Sequence, residues 1–163
     1  MSKNVIISVY DKKDLDILSK YLIKKNYTIY STGGTSDFLK KNNIPHIEIS
    51  KYTKQNEMLD GRVKTLHPKI FGGLLATKSA NHQKELQSEK IVNFDILIVN
   101  LYPFQETIKN TTKTNEIIEM IDIGGHSLIR AAIKNYSKTI PVVSPNDYQQ
   151  IIRKIPKSNL ERK

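Results

Sequence analysis

The sequence predicts an α/β protein in which a mainly parallel sheet lies between two layers of helix, a three-layer α/β/α arrangement. Three observations carry that prediction. NVIISVY (residues 4–10) and FDILIV (residues 94–99) are short apolar runs of the kind a strand buried on both faces requires. DKKDLDILSKYLIKKN follows the first run and sets Leu15, Leu18 and Leu22 on one helical face. TIYSTGGTSDFLKKNN then repeats strand, turn and helix, and such alternation implies right-handed crossovers.

The elements follow in order. The first strand is expected over residues 4–10, and Asp11 with Asp14 resembles a capping arrangement for a helix starting near Lys12. A strand over residues 28–31, a turn at Gly33-Gly34 and a helix over residues 35–42 come next. HIEIS, residues 46–50, alternates as a third strand. Residues 51–79 read as irregular, and a polar helix is expected over 81–92 before the central strand 94–99. Helices over 114–120 and 127–135 flank the IDIGG turn, and a strand over 139–144 precedes a last helix from Asn146.

A chain of 163 residues fits one domain, which buries roughly 70% of its unfolded surface without staples. No internal repeat, low-complexity segment or linker divides it. Cysteine is absent, no stretch approaches the ~20 continuous apolar residues of a membrane span, and MSKNVIISVYDKKD lacks the pattern of a cleaved leader. A soluble, cytoplasmic protein with no membrane partner is expected. The net charge of +10 invites a nucleic-acid reading. All but four of the 26 basic residues are lysine, however, and they scatter over helix-like segments instead of forming a stripe with interleaved aromatics. No nucleic-acid partner is expected, although the charge can still draw a small anion.

In a parallel α/β sheet, ligands sit beyond the carboxyl ends of the strands. That filter selects Tyr10-Asp11-Lys12, Thr32-Gly33-Gly34-Thr35 and Asn100-Leu101-Tyr102, with the 62–68 loop and Asp122 to Gly125 within reach of the same edge. Glycines ahead of a helix bring free N–H groups and the positive end of its dipole to an anion, so STGGT suits a phosphate. The same Gly-Gly is equally a plain turn. DGRVKTLHP (residues 60–68) crowds aspartate, arginine, lysine and histidine into nine residues, yet each alone reads as a turn or surface residue. Asn100-Leu101-Tyr102-Pro103 alone reads as a strand end, with Tyr102 packing.

Taken together and in this order, SVYDK, STGGT, EMLDGRVKTLHPKIFGG, NLYPF, IDIGG and LIRAAIKN resemble the inosine monophosphate (IMP) cyclohydrolase domain of the bifunctional purine biosynthesis proteins. The resemblance runs from about Val5 to Tyr148. It implies a methylglyoxal-synthase-like fold and closure of the purine ring of 5-formamidoimidazole-4-carboxamide ribotide to give IMP and water, with no metal or cofactor. Lys64, Tyr102, Asp122 and Lys134 match the family's catalytic positions. Lys12, Thr32, Gly33, Gly34, Thr35, Arg62, Thr65, Leu66, Asn100, Gly124 and Gly125 match its nucleotide-binding segments. His67 is left as structural or binding. The resemblance also implies a homodimer, and a separate transformylase partner, because the family's transformylase domain resembles nothing in residues 1–163.

Two departures stand out. His126 follows IDIGG where the family carries Pro or a small apolar residue. The sequence ends at SNLERK, where the family's domain continues through further helices, so a shortened cyclohydrolase domain is expected. Two alternatives share the fold: a noncatalytic nucleotide-binding module, and a phosphate lyase of the methylglyoxal-synthase type, which the long GRVKTLHP and NLYPF motifs disfavour.

Overall fold

Apolar runs that must be covered on both faces place β1 (Lys3–Val9) and β4 (Ile96–Asn100) side by side at the centre of the sheet. The computed structural model describes residues 3–156. Outward from that centre lie β2 (Tyr27–Ser31) and β3 (Ile47–Glu48) on one side and β5 (Ile140–Val142) on the other, in the order β3-β2-β1-β4-β5, every pair parallel. The predicted α/β class and parallel sheet are what the structure has.

Side chains alternate across the sheet with the period of two that strand geometry imposes. Val5, Ile7 and Val9 of β1 join Ile29, Ile96 and Ile98 on the face covered by α1 (Leu15–Lys24), α2 (Gly33–Lys41) and α9 (Tyr148–Arg153). Ile6, Tyr30, Leu97 and Val99 point the other way, into α3 (Ile49–Thr53), α4 (Pro68–Leu75) and α8 (Ile123–Lys134). Leu15, Leu18 and Leu22, the predicted stripe, are all fully buried. The chain moves toward β3 after β1 and toward β5 after β4, and the helices change face accordingly, as right-handed crossovers demand. Connections therefore diverge between β1 and β4, which makes their carboxyl ends the switch point of the sheet.

Several predicted boundaries move, each for a local reason. Helix α1 starts at Leu15 instead of Lys12, because Asp14 sits in the left-handed region (φ 56°) and makes no cap bond. Asp11 instead accepts from the Lys13 N–H at 2.9 Å, which keeps Lys12 in a turn. Gly33-Gly34 is the opening of α2, not a turn before it, with Thr32 in an extended N-cap conformation. The third strand shrinks to two residues because α3 begins at Ile49. The IDIGG segment is likewise helical from Ile123, since Asp122 caps α8.

Besides α3, two further helices lie where none was predicted. Helix α4 falls inside the stretch read as irregular; Pro68 at its first position and His67 Nδ1, which accepts from the Lys69 N–H at 3.1 Å, start it. Its Gly73 is a packing requirement: a Cβ there would overlap the Val92 carbonyl oxygen and come within 2.7 Å of the Phe94 ring. Helix α6 (Phe104–Asn110) and the predicted α7 (Thr114–Glu119) contribute no buried residue. Between α4 and β4, α5 (Ala80–Ser88) buries Leu86 alone and ends before the predicted Val92. No helix among the described residues is long and apolar enough to cross a membrane.

Candidate active site

The switch point opens into a cavity of about 680 Å³. Its floor is the end of β1 and the start of α2. Asn100 at the end of β4 completes the floor; one wall is the loop around Gly61 to Thr65, and the other comprises Tyr102 with residues 118–125.

The floor is organised by side chain to backbone bonds. Thr35, 3% exposed, uses its hydroxyl to accept from the Val9 N–H and donate to the Val9 carbonyl, both at 3.0 Å. This fixes the start of α2 against the end of β1. Asn100 ties in β4: its Oδ1 accepts from the Tyr10 and Asp11 N–H groups at 2.7 and 2.8 Å, and its Nδ2 donates to the Asp11 carbonyl at 2.8 Å. The turn that carries Lys12 is thereby held, with the Lys12 ammonium donating to the Tyr10 carbonyl at 3.1 Å. The same ammonium lies 4.0 Å from where a Cβ on Gly34 would stand. First-turn N–H groups of a helix have no partner within it, so Gly34 and Thr35 beside Lys12 form a cradle for a phosphate-sized anion.

Ionisable groups line the cavity beyond this floor, Asp122, Tyr102 and Lys64 among them. Asp122 caps α8, its Oδ1 accepting from the Gly125 N–H at 2.6 Å, which leaves its second oxygen without a protein partner among the described residues. Tyr102 packs edge-on against Tyr10 with ring centroids 5.6 Å apart. Burial pushes the Tyr102 hydroxyl above its ordinary range, and the Asp122 and Glu57 carboxylates push it further, so it is a phenol and a hydrogen-bond donor at neutral pH. Lys64 reaches from the loop toward α2, its ammonium 3.0 Å from the position of a Cβ on Gly33. At the mouth, Arg62 pairs with Glu119 of α7 and joins the two walls.

Most of the residues selected from sequence converge here. Lys12, Thr32, Gly34, Thr35, Arg62, Lys64, Thr65, Asn100, Tyr102, Asp122, Gly124 and Gly125 all line the cavity. Lys134 does not. It is exposed in the last turn of α8, whose opposite end carries Asp122, and the 1.5 Å rise per residue separates the two ends by about 16 Å. Leu66 is 39% exposed outside the cavity, and Gly33 faces a smaller neighbouring recess. His126 is exposed, and His67 is occupied in capping α4.

Sequence reasoning missed Glu57. Its Oε1 accepts from the Thr32 hydroxyl and, at 3.2 Å, from the Gly33 N–H. A lone glutamate in a polar loop gives no periodic signal. It also missed Ile118 and Met120, which enter the wall because α7 lies over the mouth. Among the described residues no group of three or more His, Cys, Asp or Glu could hold a metal ion.

Comparison with known proteins places these features among relatives. The family model described as MGS-like domain matches residues 15–127. The bifunctional purine biosynthesis protein PurH of Fusobacterium nucleatum is 46% identical over 160 residues, covering 98% of this chain and 32% of that protein. PurH of Clostridium acetobutylicum is 45% identical over 159 residues, covering 97% and 32%, and PurH of Buchnera aphidicola subsp. Acyrthosiphon pisum is 48% identical over 168 residues, covering 99% and 31%. The chain thus spans about a third of the length of these curated relatives. Among solved structures, that of ForH superposes with a TM-score of 0.82 at 25% identity, over 93% of this chain and 76% of that one.

Proposed function

The chain belongs to the MGS-like domain family, and from that premise we propose that it is an IMP cyclohydrolase, closing the purine ring of 5-formamidoimidazole-4-carboxamide ribotide with loss of water. One observation carries the reading. A single cavity joins an anion cradle at Lys12, Gly34 and Thr35 to an ammonium, a phenol and a carboxylate at Lys64, Tyr102 and Asp122. The matched region of the bifunctional purine biosynthesis relatives supports the choice of reaction.

The chemistry asks for that combination. Both reacting groups sit on one substrate molecule, so the protein's first task is to hold the rotamer that points the carboxamide nitrogen at the formyl carbon. Binding the 5'-phosphate at the α2 end anchors the far end of the nucleotide, and that remote contact helps fix the reacting end. As the C–N bond forms, charge collects on the former formyl oxygen, where the Lys64 ammonium donates. The free oxygen of Asp122 orients the carboxamide and takes its proton. The Tyr102 phenol gives a proton to the hydroxyl as it leaves as water, and the formamide N–H proton, lost as the ring C=N bond forms, restores the phenol. Lys134 has no step in this pocket.

The test is conversion of the formylated ribotide to IMP, followed by ultraviolet absorbance and corrected for spontaneous closure. Lys64→Ala and Asp122→Ala should each lower kcat by about 100-fold or more with the fold intact, since each removes a transition-state contact. Wild-type turnover at the background rate, with IMP still bound, would instead favour the noncatalytic nucleotide-binding reading.

A further inference from the structure

Glu57 has no step in the reaction and no part in the anion cradle, yet its surroundings are unusually specific. Met58 and Val63 form an antiparallel bridge, each N–H donating to the other's carbonyl at 3.1 and 3.2 Å. Between them Leu59, Asp60 and Gly61 all hold positive φ, at 54°, 53° and 84°. Two of those residues have side chains, so the turn is strained and needs support from outside itself. The bridge also sets the neighbouring pair: with Met58 opposite Val63, Glu57 stands opposite Lys64.

The side chains respect that pairing. The point where a Cβ on Gly61 would lie is 3.4 Å from Glu57 Oε2 and 3.1 Å from Lys64 Nζ. The carboxylate and the ammonium therefore face the same side of the hairpin, which is the side that Gly61 leaves open. The other carboxylate oxygen, Oε1, holds the Thr32 hydroxyl and the Gly33 N–H. Glu57 thus occupies the first free amide of α2 and leaves those of Gly34 and Thr35 to the anion.

We propose that Glu57 is a positioning residue of this site: it clamps the residue 58–63 hairpin to the start of α2 and so fixes where the Lys64 ammonium stands. The proposal rests on the cyclohydrolase reading for its kinetic consequence but not for its structural one. Glutamine at this position can still accept from Thr32 and Gly33, whereas alanine cannot.

The experiment pairs kinetics with amide hydrogen exchange on the full chain. Glu57→Ala should lower kcat by about 100-fold, the scale of a misplaced reacting group, and move KM much less, because the cradle groups remain. Glu57→Gln should restore most of that rate. In a Lys64→Ala background, Glu57→Ala should cost nothing further, since its effect passes through Lys64. Exchange should accelerate at Gly33, Met58 and Val63 in the alanine variant and stay slow in the glutamine variant. Independent losses that multiply in the double variant, or unchanged exchange at those three amides in Glu57→Ala, would overturn the clamp. If the wild-type protein does not turn over, the cyclohydrolase reading falls and the exchange measurement alone decides the fate of the clamp.

Discussion

The two sides of the cavity are built on different physics. The floor, at the ends of β1 and β4 and the start of α2, is held by bonds from side chains to strand or loop backbone: Thr35 to Val9 and Asn100 to Tyr10 and Asp11. The facing wall takes Ile118 and Glu119 from α7, and neither α7 nor α6, which packs beside it, buries a single residue. It leaves Leu101, Phe104, Ile108, Ile118 and Ile121 exposed, and the Arg62–Glu119 pair ties it across the mouth between two exposed side chains. In the reaction proposed above, the phosphate would meet the hydrogen-bonded side and the reacting base the side with exposed apolar residues. Damage to the floor should therefore cost stability and binding together, and damage to the wall should cost rate with little loss of stability.

The largest effect that sharpens this contrast is expected at Thr35. Thr35→Val keeps the shape but deprives both the N–H and the carbonyl of Val9 of a partner at a site where neither reaches water. A buried group left unpaired costs about 1–3 kcal/mol, so the denaturation midpoint should fall clearly, and IMP affinity with it. A Thr35→Val protein as stable as wild type would erase the distinction between the two sides.

Asn100 comes next. It was selected as a nucleotide-binding residue, but its Oδ1 already accepts two backbone N–H groups. Asn100→Ala should lower stability by about 1 kcal/mol, less than at Thr35 because the Tyr10 and Asp11 amides can find water. The loosened turn should also weaken phosphate binding through Lys12. The check is to titrate the variant with IMP and with inosine: the nucleotide should lose affinity and the nucleoside should not.

At the wall, Arg62→Ala should change stability by less than about 1 kcal/mol, as removal of exposed pairs generally does. Its cost should fall on kcat/KM for the ribotide, because α7 loses its tie to the hairpin beside Lys64. Equal losses of stability for Arg62→Ala and Thr35→Val would break the comparison from the other direction.

The floor was more legible in the sequence than the wall, for the same reason that it is more rigid. Burial writes the sequence pattern: residues 5–7 of β1, 96–98 of β4 and the Leu15-Leu18-Leu22 stripe are positions with no exposed surface. Helix α6 packs nothing and leaves no apolar stripe to read, while α4 was hidden by Gly72-Gly73, which looks like a turn until Val92 and Phe94 are seen against Gly73. Site residues at strand ends were found because topology predicts where ligands go. Glu57 was not, since its meaning depends on a hairpin whose three positive-φ residues include only one glycine. Lys134 shows the converse: a motif resemblance selected it, and the length of α8 carries it away from the cavity.

The smallest effect lies where the wall loop rejoins the rigid body, at His67. Its Nδ1 caps α4 by accepting from the Lys69 N–H, a role open only to the neutral ring. Burial, with the Lys69 ammonium adding to it, holds the imidazole below its ordinary value of 6.5. The folded protein therefore binds this proton less readily than the unfolded chain, and the contribution is fully present above pH 6.5 and lost as pH falls through the lowered folded value. Thermal stability should consequently decline on acidification from pH 7 to pH 5 by a small amount that His67→Asn removes, because an asparagine oxygen accepts at any pH in that range. Lys64 leaves the loop three residues earlier, so kcat should follow stability only weakly over the same interval. A His67→Asn protein that keeps the full acid-side decline would place the titrating group elsewhere and leave the junction between loop and α4 without a pH-dependent element.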